Sequence, residues 1–281
     1  MCTRSAAQIS NNQIATNTAK WLGGGIQCYG KPSPTISGNT ITGNQSGYNG
    51  GGIDSWESAP SISNNTIASN TAPGGAGIGT AASPKASLKN CILWANTAPS
   101  GAQLADSGIA ALTVSYSDLQ GGRNAVFLSP SNLAITYVSN IDADPLFADL
   151  ANRDFHLKSR MGRWDPTANS GAGGWVNDCV CSPCIDAGDP ASAWSAEPAP
   201  NGARANIGAY GTTAEASKTC WNPADANSDC GVNVLDLIFI RERLNQDIAT
   251  GDNCRADVNN DGKINVLDAI EVRNHLDERC P

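Results

Sequence analysis

Thr35-Ile36-Ser37-Gly38-Asn39-Thr40-Ile41-Thr42-Gly43-Asn44 holds two short runs that alternate polar and apolar residues, each closed by a Gly-Asn step. Alternation is the pattern of a strand with one buried face, and three residues are too few for such a strand to stand alone. The stretch decides the fold because it recurs. Asn44 has counterparts at Asn17, Asn70 and Asn96, at spacings of 27, 26 and 26 residues. Three residues before each stands Ile14, Ile41, Ile67 or Leu93, and eight before stands Ile9, Ile36, Ile62 or Leu88. Five before stands Asn12, Asn39, Asn65 or Cys91. Eight or nine residues after comes Ile26, Ile53, Ile78 or Leu104, the first three behind Gly25, Gly52 and Gly77. A fixed period of this length marks a solenoid in which each copy completes its core with its neighbours. Stacked at the roughly 4.8 Å spacing of adjacent strands, the Ile columns become one interior ladder. The Asn columns fall at corners, where an amide bonds its equivalent in the next coil and left-handed backbone is tolerated. The Gly runs allow sharp turns between sheets.

Coils such as 33–41 resemble the right-handed parallel β-helix family, typified by pectate lyases and bacterial surface repeat proteins. Leu112-Thr113-Val114-Ser115-Tyr116-Ser117 with Leu119-Gln120-Gly121-Gly122 reads as a terminal coil, and 140–147, 182–189 and 206–211 resemble the C-terminal ends of such secreted helices. The resemblance covers roughly residues 5–215. It implies a mainly β chain with coils over 1–150, a capping segment over 151–215, and a separate module over 216–281. Composition agrees, since 29 Gly, 15 Pro and only 16% charged residues suit a turn-rich β body better than a helical globule.

Enzymes of this family set clustered Asp residues beside an Arg or Lys base, or several Asp residues close together, because carboxylates or a metal must activate water or a proton near a sugar. Residues 1–140 contain only four acids, Asp54, Glu57, Asp106 and Asp118, and no three share a column. Asp54 and Glu57, with Trp56 between them, form a candidate carbohydrate contact; the same three residues also suit an ordinary solvated turn. Asp142, Asp144 and Asp149 around Pro145 fit turn chemistry. His156, between Phe155 and Leu157, reads as a structural histidine in an alternating strand. Cys179, Cys181 and Cys184 are spaced for disulfides or thiols, since a zinc site calls for wider gaps and a fourth ligand. Trp164, Trp175 and Trp194 are expected to cover the open end of the solenoid, burying the last layer of the ladder.

The C-terminal region has a different texture. From Cys220 onward there are twelve acids against six bases, so −6 of the chain's net −8 lies there. No basic stripe suggests nucleic acid, and no apolar run approaches a membrane span. The acids fall in two copies 32 residues apart: Asp225, Asn227, Asp229, Gly231, Asn233, Asp236, then Asp257, Asn259, Asp261, Lys263, Asn265, Asp268. Oxygen ligands at loop positions 1, 3, 5 and 12, with a backbone carbonyl at position 7, are the hard-donor pattern that calcium requires, which predicts two ions. Asp rather than Glu at position 12 and no entering helix set the pair apart from a calcium sensor. Ile238, Leu244, Ile270 and Leu276 share one side of the helices that follow.

This region closely resembles a type I dockerin over about 60 residues. The resemblance implies a calcium-dependent fold that docks a helix face onto a cohesin domain, with recognition at positions 10, 11, 17, 18 and 22 of each copy. Here those are Val234, Leu235, Arg241, Glu242 and Gln246, then Val266, Leu267, Arg273, Asn274 and Glu278. Near-identical copies imply two docking orientations related by a half-turn. Two departures stand out. The Val-Leu pairs replace the hydroxyl residues common in the family, which predicts a different cohesin specificity. Cys230 holds position 6 of the first loop, where glycine is usual, which predicts a distorted first site. Spacing alone suggests Cys230–Cys254 and Cys220–Cys280 disulfides.

Ten cysteines favour an oxidising compartment. Residues 1–20 carry no signal-peptide stretch, so the chain reads as beginning after a missing N-terminal address. These features predict an extracellular β-helix protein attached to a cohesin-bearing scaffold or cell surface. The alternatives are the C-terminal part of a polysaccharide lyase or glycosidase delivered by the dockerin, and an adhesin or stalk with a calcium-stabilised tail. No catalytic cluster is evident in the coils.

Overall fold

In a computed structural model the chain is described over residues 2–3, 6–30, 33–82, 85–106, 108, 111–128, 135–249 and 251–279. Five coils wind through three parallel sheets. The first sheet stacks Ile26–Tyr29, Ile53–Trp56, Ile78–Ala81, Leu104–Asp106 and Val126–Leu128 beneath Cys2–Thr3. The second stacks Gln8–Ser10, Thr35–Ser37, Ser61–Ser63, Ala86–Lys89, Leu112–Ser115 and Ile135–Val138. The third stacks Gln13–Ala15, Thr40–Thr42, Thr66–Ala68, Ile92–Trp94 and Asp118–Leu119.

Register follows the columns read in the sequence. Ile9, Ile36, Ile62 and Leu88 are partners across successive coils. So are Ile14, Ile41, Ile67 and Leu93, and Ile26, Ile53, Ile78 and Leu104. Val114, Leu119 and Val126 extend all three columns by a coil. They join one buried cluster, in which Ile36, Ile41, Ile53 and Ile67 are fully inaccessible. A one-residue slip would turn every ladder residue outward, so burial holds the register.

The Asn columns lock the corners. Asn70 accepts the backbone and side-chain N–H groups of Asn44 at 2.9 and 3.0 Å and donates to the Ile41 carbonyl and Asn96 Oδ1 at 2.9 and 3.0 Å. Asn65 does the same between Asn39 and the Ile36 carbonyl. The left-handed backbone expected at these asparagines falls one residue earlier, on Asn11, Gly38, Asn64 and Asn90 and on Thr16, Gly43, Ser69 and Ala95. That turn is what swings each amide inward. Asn70→Ala strands buried donors on Asn44 and a buried carbonyl, at about 1–3 kcal/mol per group. We expect an overall loss near 3 kcal/mol by denaturant unfolding, against under about 1 kcal/mol for Asn17→Ala in the exposed first coil. Glycine at 52 meets a packing demand: a Cβ there would stand 2.6 Å from the Gly77 carbonyl oxygen.

The capping segment does something other than plug the end of the solenoid. It runs back along the outer face of the third sheet and builds a second core, in which Ala68 and Ile92 meet Phe147, Phe155, Leu157, Cys184 and Ile207. Ala68 and Ile92 neighbour the inward Ile67 and Leu93, so strand alternation places them outside. Gly208 and Ala209 donate to the Asn90 carbonyl and Thr66 Oγ1, and Lys89 pairs with Asp189 at 2.9 Å. Trp164 and Trp175 pack on each other across a small hairpin, centroids 5.5 Å apart, with the Lys218 ammonium over Trp175. They lie outside the ladder cluster, which corrects the expectation that they bury its last layer. His156 is buried, stacked on Tyr210 at 3.7 Å and paired with Asp154. Among the described residues, no helix is long and apolar enough to cross a membrane.

Candidate metal centres and docking face

The repeat that shapes the C-terminal module is visible in its core. Ala224 and Ala256, Ala226 and Val258, Val232 and Ile264, Ile240 and Val272 are all buried together, and the members of each pair are equivalent residues of the two copies. Residues 277 and 278 close the module against the first loop: the Val232 amide donates to the Glu278 carbonyl, and the Val232 carbonyl accepts the Asp277 amide, both at 2.9 Å. Small apolar residues at equivalent positions let the two copies share one core.

Each loop leads into a helix, Val234–Arg241 and Val266–Asn274. Asn233 and Asn265 cap them by accepting the Leu235 and Leu267 amides, each at 2.8 Å. Asp236 and Asp268 reach back to the amides of these caps, also at 2.8 Å, completing two capping boxes. The other oxygen of Asp236 accepts the Asn227 amide at 3.0 Å, and that of Asp268 accepts the Val258 amide at 2.8 Å. The position-12 acid therefore ties the loop to the helix start. At position 1, Asp225 accepts the Asp229 and Cys230 amides at 3.0 and 2.9 Å, and Asp257 accepts the Asp261 and Gly262 amides, both at 3.0 Å.

The two loops thus share one fold, against the expectation of a distorted first site. Cys230 adopts φ 71° where Gly262 has 84°, and its amide makes the same bond. A left-handed conformation costs a non-glycine residue about 1–2 kcal/mol, and Cys230 is held there by a disulfide. Burial, with the charges of Asp236 and Asp229 alongside, pushes the Asp225 carboxyl up to about 6. Among the described residues no three acids, thiols or imidazoles form a ready cage. The donor chemistry fits calcium nonetheless: each loop offers three carboxylates, two Asn side chains and a backbone carbonyl, all hard oxygens.

All ten positions at which recognition is expected are exposed. Val234 and Val266 are 61% and 64% accessible, Leu235 and Leu267 51% and 52%. Leu244, Ile270 and Leu276 are exposed beside them, while Ile240 and Val272 take the core side of the helices. Three of the four residues of the shared side noted in the sequence are therefore exposed, while Ile238 is half-buried. Gln246 bonds Glu242 and Asn253 within the module, and Glu278 bonds Asn222 and His275.

The module is fastened to the body. Cys179 pairs with Cys254 and Cys181 with Cys220, which overturns the expected Cys230–Cys254 and Cys220–Cys280 links; Cys280 lies outside the described residues. Cys184 keeps a buried thiol that donates to Asp118 at 3.2 Å, and burial pushes that carboxyl up to about 7. The Arg160 guanidinium of the capping segment donates to the Arg255 carbonyl at 3.0 Å, and the Arg160 backbone carbonyl accepts the Ser228 hydroxyl at 3.0 Å. Arg255 in turn bonds Ser228 at 2.9 Å and stacks over Phe239. Sequence gave no sign of Arg160 or Ser228, because the contact joins residues 68 apart with no shared motif. Closing the 75-residue separation between Cys179 and Cys254 removes about 4 kcal/mol of unfolded-state entropy. Calorimetry of the chain in EDTA should show Cys254→Ser destabilising the module by about 2–4 kcal/mol.

In the body, Asp54 is fully buried and bonded to Asn49 at 3.3 Å, and burial pushes its carboxyl up to about 7. Trp56 is half-buried two residues on, and Glu57 is exposed in a left-handed turn beyond the strand. The strand does not gather these three residues around one point.

Three family models match the chain: the right-handed β-helix region over residues 1–140, a disaggregatase-related model over 125–188, and the dockerin type I domain over 223–277. No curated protein and no solved structure matches.

Proposed function

We propose that this chain, a right-handed parallel β-helix ending in a type I dockerin, is an extracellular protein held on a cohesin-bearing scaffold or cell surface by its C-terminal module. Type I dockerins bind calcium and imply a cohesin partner. The observation that carries the reading is the pairing of two equivalently folded acidic loops with two exposed Val-Leu pairs at the helix starts they cap.

In this reading Asp225, Asn227, Asp229, the Gly231 carbonyl, Asn233 and Asp236 hold one calcium ion. Asp257, Asn259, Asp261, the Lys263 carbonyl, Asn265 and Asp268 hold a second. Calcium supplies cross-linking of the loop oxygens and neutralises their charge. Asp236 and Asp268 pass that order to the helices through the capping boxes. Val234, Leu235, Val266 and Leu267 then meet the apolar surface of the cohesin, with Arg241, Glu242, Gln246, Arg273, Asn274 and Glu278 as a polar rim. The capping segment sets the direction in which the docking face points, because Cys179–Cys254 and Arg160 remove the freedom of a loose linker.

Titration calorimetry of the full chain against a panel of cohesins tests this. Binding to at least one cohesin in calcium, lost in EDTA, is expected. Failure of every cohesin to bind, or binding indifferent to calcium, rejects the reading.

A further inference from the structure

Distant stretches of the capping segment converge on a small group of oxygens. Asp186 takes a left-handed backbone, at φ 55°, and its amide donates to Asn206 Oδ1 at 2.8 Å. Asn206 gives its own amide to Glu197 Oε1 at 2.9 Å and its side-chain amide to the Ser217 carbonyl at 2.7 Å. The Thr212 amide reaches the same Glu197 oxygen at 2.7 Å. Thr219, where the chain passes into the C-terminal module, donates its amide to the Pro200 carbonyl at 2.8 Å. Asn206 is thus the strut that sets Asp186 and Glu197 side by side.

These bonds satisfy one side of the group and leave the other bare. Glu197 Oε2, Asp186 Oδ1 and Thr219 Oγ1 are each buried without a hydrogen-bond partner, and Glu197 and Thr219 are only 5% and 8% accessible. The Thr219 hydroxyl faces the Asp186 carboxyl, and the Asp186 charge reaches Glu197. Burial pushes the Glu197 carboxyl up to about 7 and raises that of Asp186 as well. Arg204 lies within range of Asp186, but its guanidinium is spent on the Gly188 and Ala187 carbonyls, at 2.6 and 3.1 Å. Folded proteins leave few buried polar atoms unpaired, so three oxygens in one group point to a ligand that bonds them all. Such a ligand has a short way in. Asp186 is half-buried, and the exposed Gly202 stands against its carboxyl, where a Cβ would lie 2.5 Å from Oδ2.

We propose that Asp186, Glu197 and Thr219 hold a calcium ion at the base of the capping segment, apart from the two loops of the C-terminal module. Two carboxylates and a hydroxyl are hard donors. Calcium accepts roughly six to eight oxygens in irregular geometry, so backbone carbonyls and water complete the shell. Magnesium demands a near-ideal octahedron, which donors carried on separate irregular stretches do not impose. No thiol or imidazole forms a cluster with the two acids among the described residues, which leaves softer metals without ligands. Position gives the ion its role. Thr219 adjoins Cys220, whose disulfide partner Cys181 lies five residues before Asp186. Ion and disulfide together clamp the point where the chain enters the docking module, so calcium stiffens that junction independently of the module's own loops.

The test removes the loops from the count. The full chain carrying Asp225→Ala and Asp257→Ala is demetallated and titrated with calcium under native mass spectrometry, and uptake of one ion is expected. Adding Asp186→Asn or Glu197→Gln should weaken that uptake at least about tenfold. Adding Asp149→Asn, an exposed acid of the same segment, should leave it unchanged. Asn and Gln keep the shape of the acids they replace, and thermal melting in EDTA checks that both variants fold. A second readout needs neither variant: calcium should slow tryptic cleavage after Lys218, the neighbour of Thr219, at least about threefold in the same background. The proposal is overturned if that chain takes up no calcium or takes up magnesium more tightly. It is equally overturned if calcium uptake survives both Asp186→Asn and Glu197→Gln, or if cleavage after Lys218 is indifferent to calcium.

Discussion

Replacing Asp225 and Asp257 together by alanine abolishes the calcium-dependent rise in the melting temperature of the C-terminal module and weakens cohesin binding at least a thousandfold, about 4 kcal/mol. The effect is large because each of these acids organises a whole loop. Asp225 accepts the amides of Asp229 and Cys230, and Asp257 those of Asp261 and Gly262, so alanine removes a proposed ion ligand and two loop bonds at once. Calcium at a thousand times its Kd contributes about 4 kcal/mol to the folded state, and that contribution disappears. In EDTA the outcome differs. Alanine relieves the repulsion of Asp225 by Asp236 and Asp229, while Cys179–Cys254 still pins the module to the body. The variant should therefore still melt below the parent chain without calcium, since four loop bonds are lost, but by less than it does in calcium. Differential scanning calorimetry in calcium and in EDTA checks both halves.

Leu235→Glu and Leu267→Glu act on docking alone. Each leucine is half exposed in the first turn of a capped helix and belongs to neither the module's core nor its ligand sets. A buried interfacial charge without a partner costs several kcal/mol, yet a single substitution leaves the other copy free to dock after a half-turn. Each single variant should lose no more than about tenfold in cohesin affinity, and the double variant at least a hundredfold, with calcium uptake unchanged. Equal losses in one single variant and in the double would show that only one orientation is used.

The solenoid was legible because its period is rigid. Ile36, Ile62 and Leu88 sit at one offset from their asparagines and become partners in one sheet. The module was legible for the same reason, as copies 32 residues apart place Val232 with Ile264 and Ile240 with Val272 in a single core. What escaped were contacts without periodicity. Nothing in residues 143–217 states that Phe155 and Ile207 will cover Ile92 instead of closing the end of the ladder, because any apolar surface would satisfy them equally well. The disulfides were misassigned because spacing favoured pairs within the module, while the fold carries Cys179 and Cys181 to it. Asp54, Trp56 and Glu57 read as one group in the sequence, but the strand buries Asp54 and the left-handed turn after it carries Glu57 away.

The central claim is that the C-terminal module is a calcium-loaded dockerin, and native mass spectrometry of the demetallated full chain during calcium titration tests it most directly. The account predicts that the module takes up two calcium ions, one of which is lost in either Asp225→Ala or Asp257→Ala and both in the double substitution. A chain that takes up no calcium, or whose uptake is untouched by the double substitution, contradicts it.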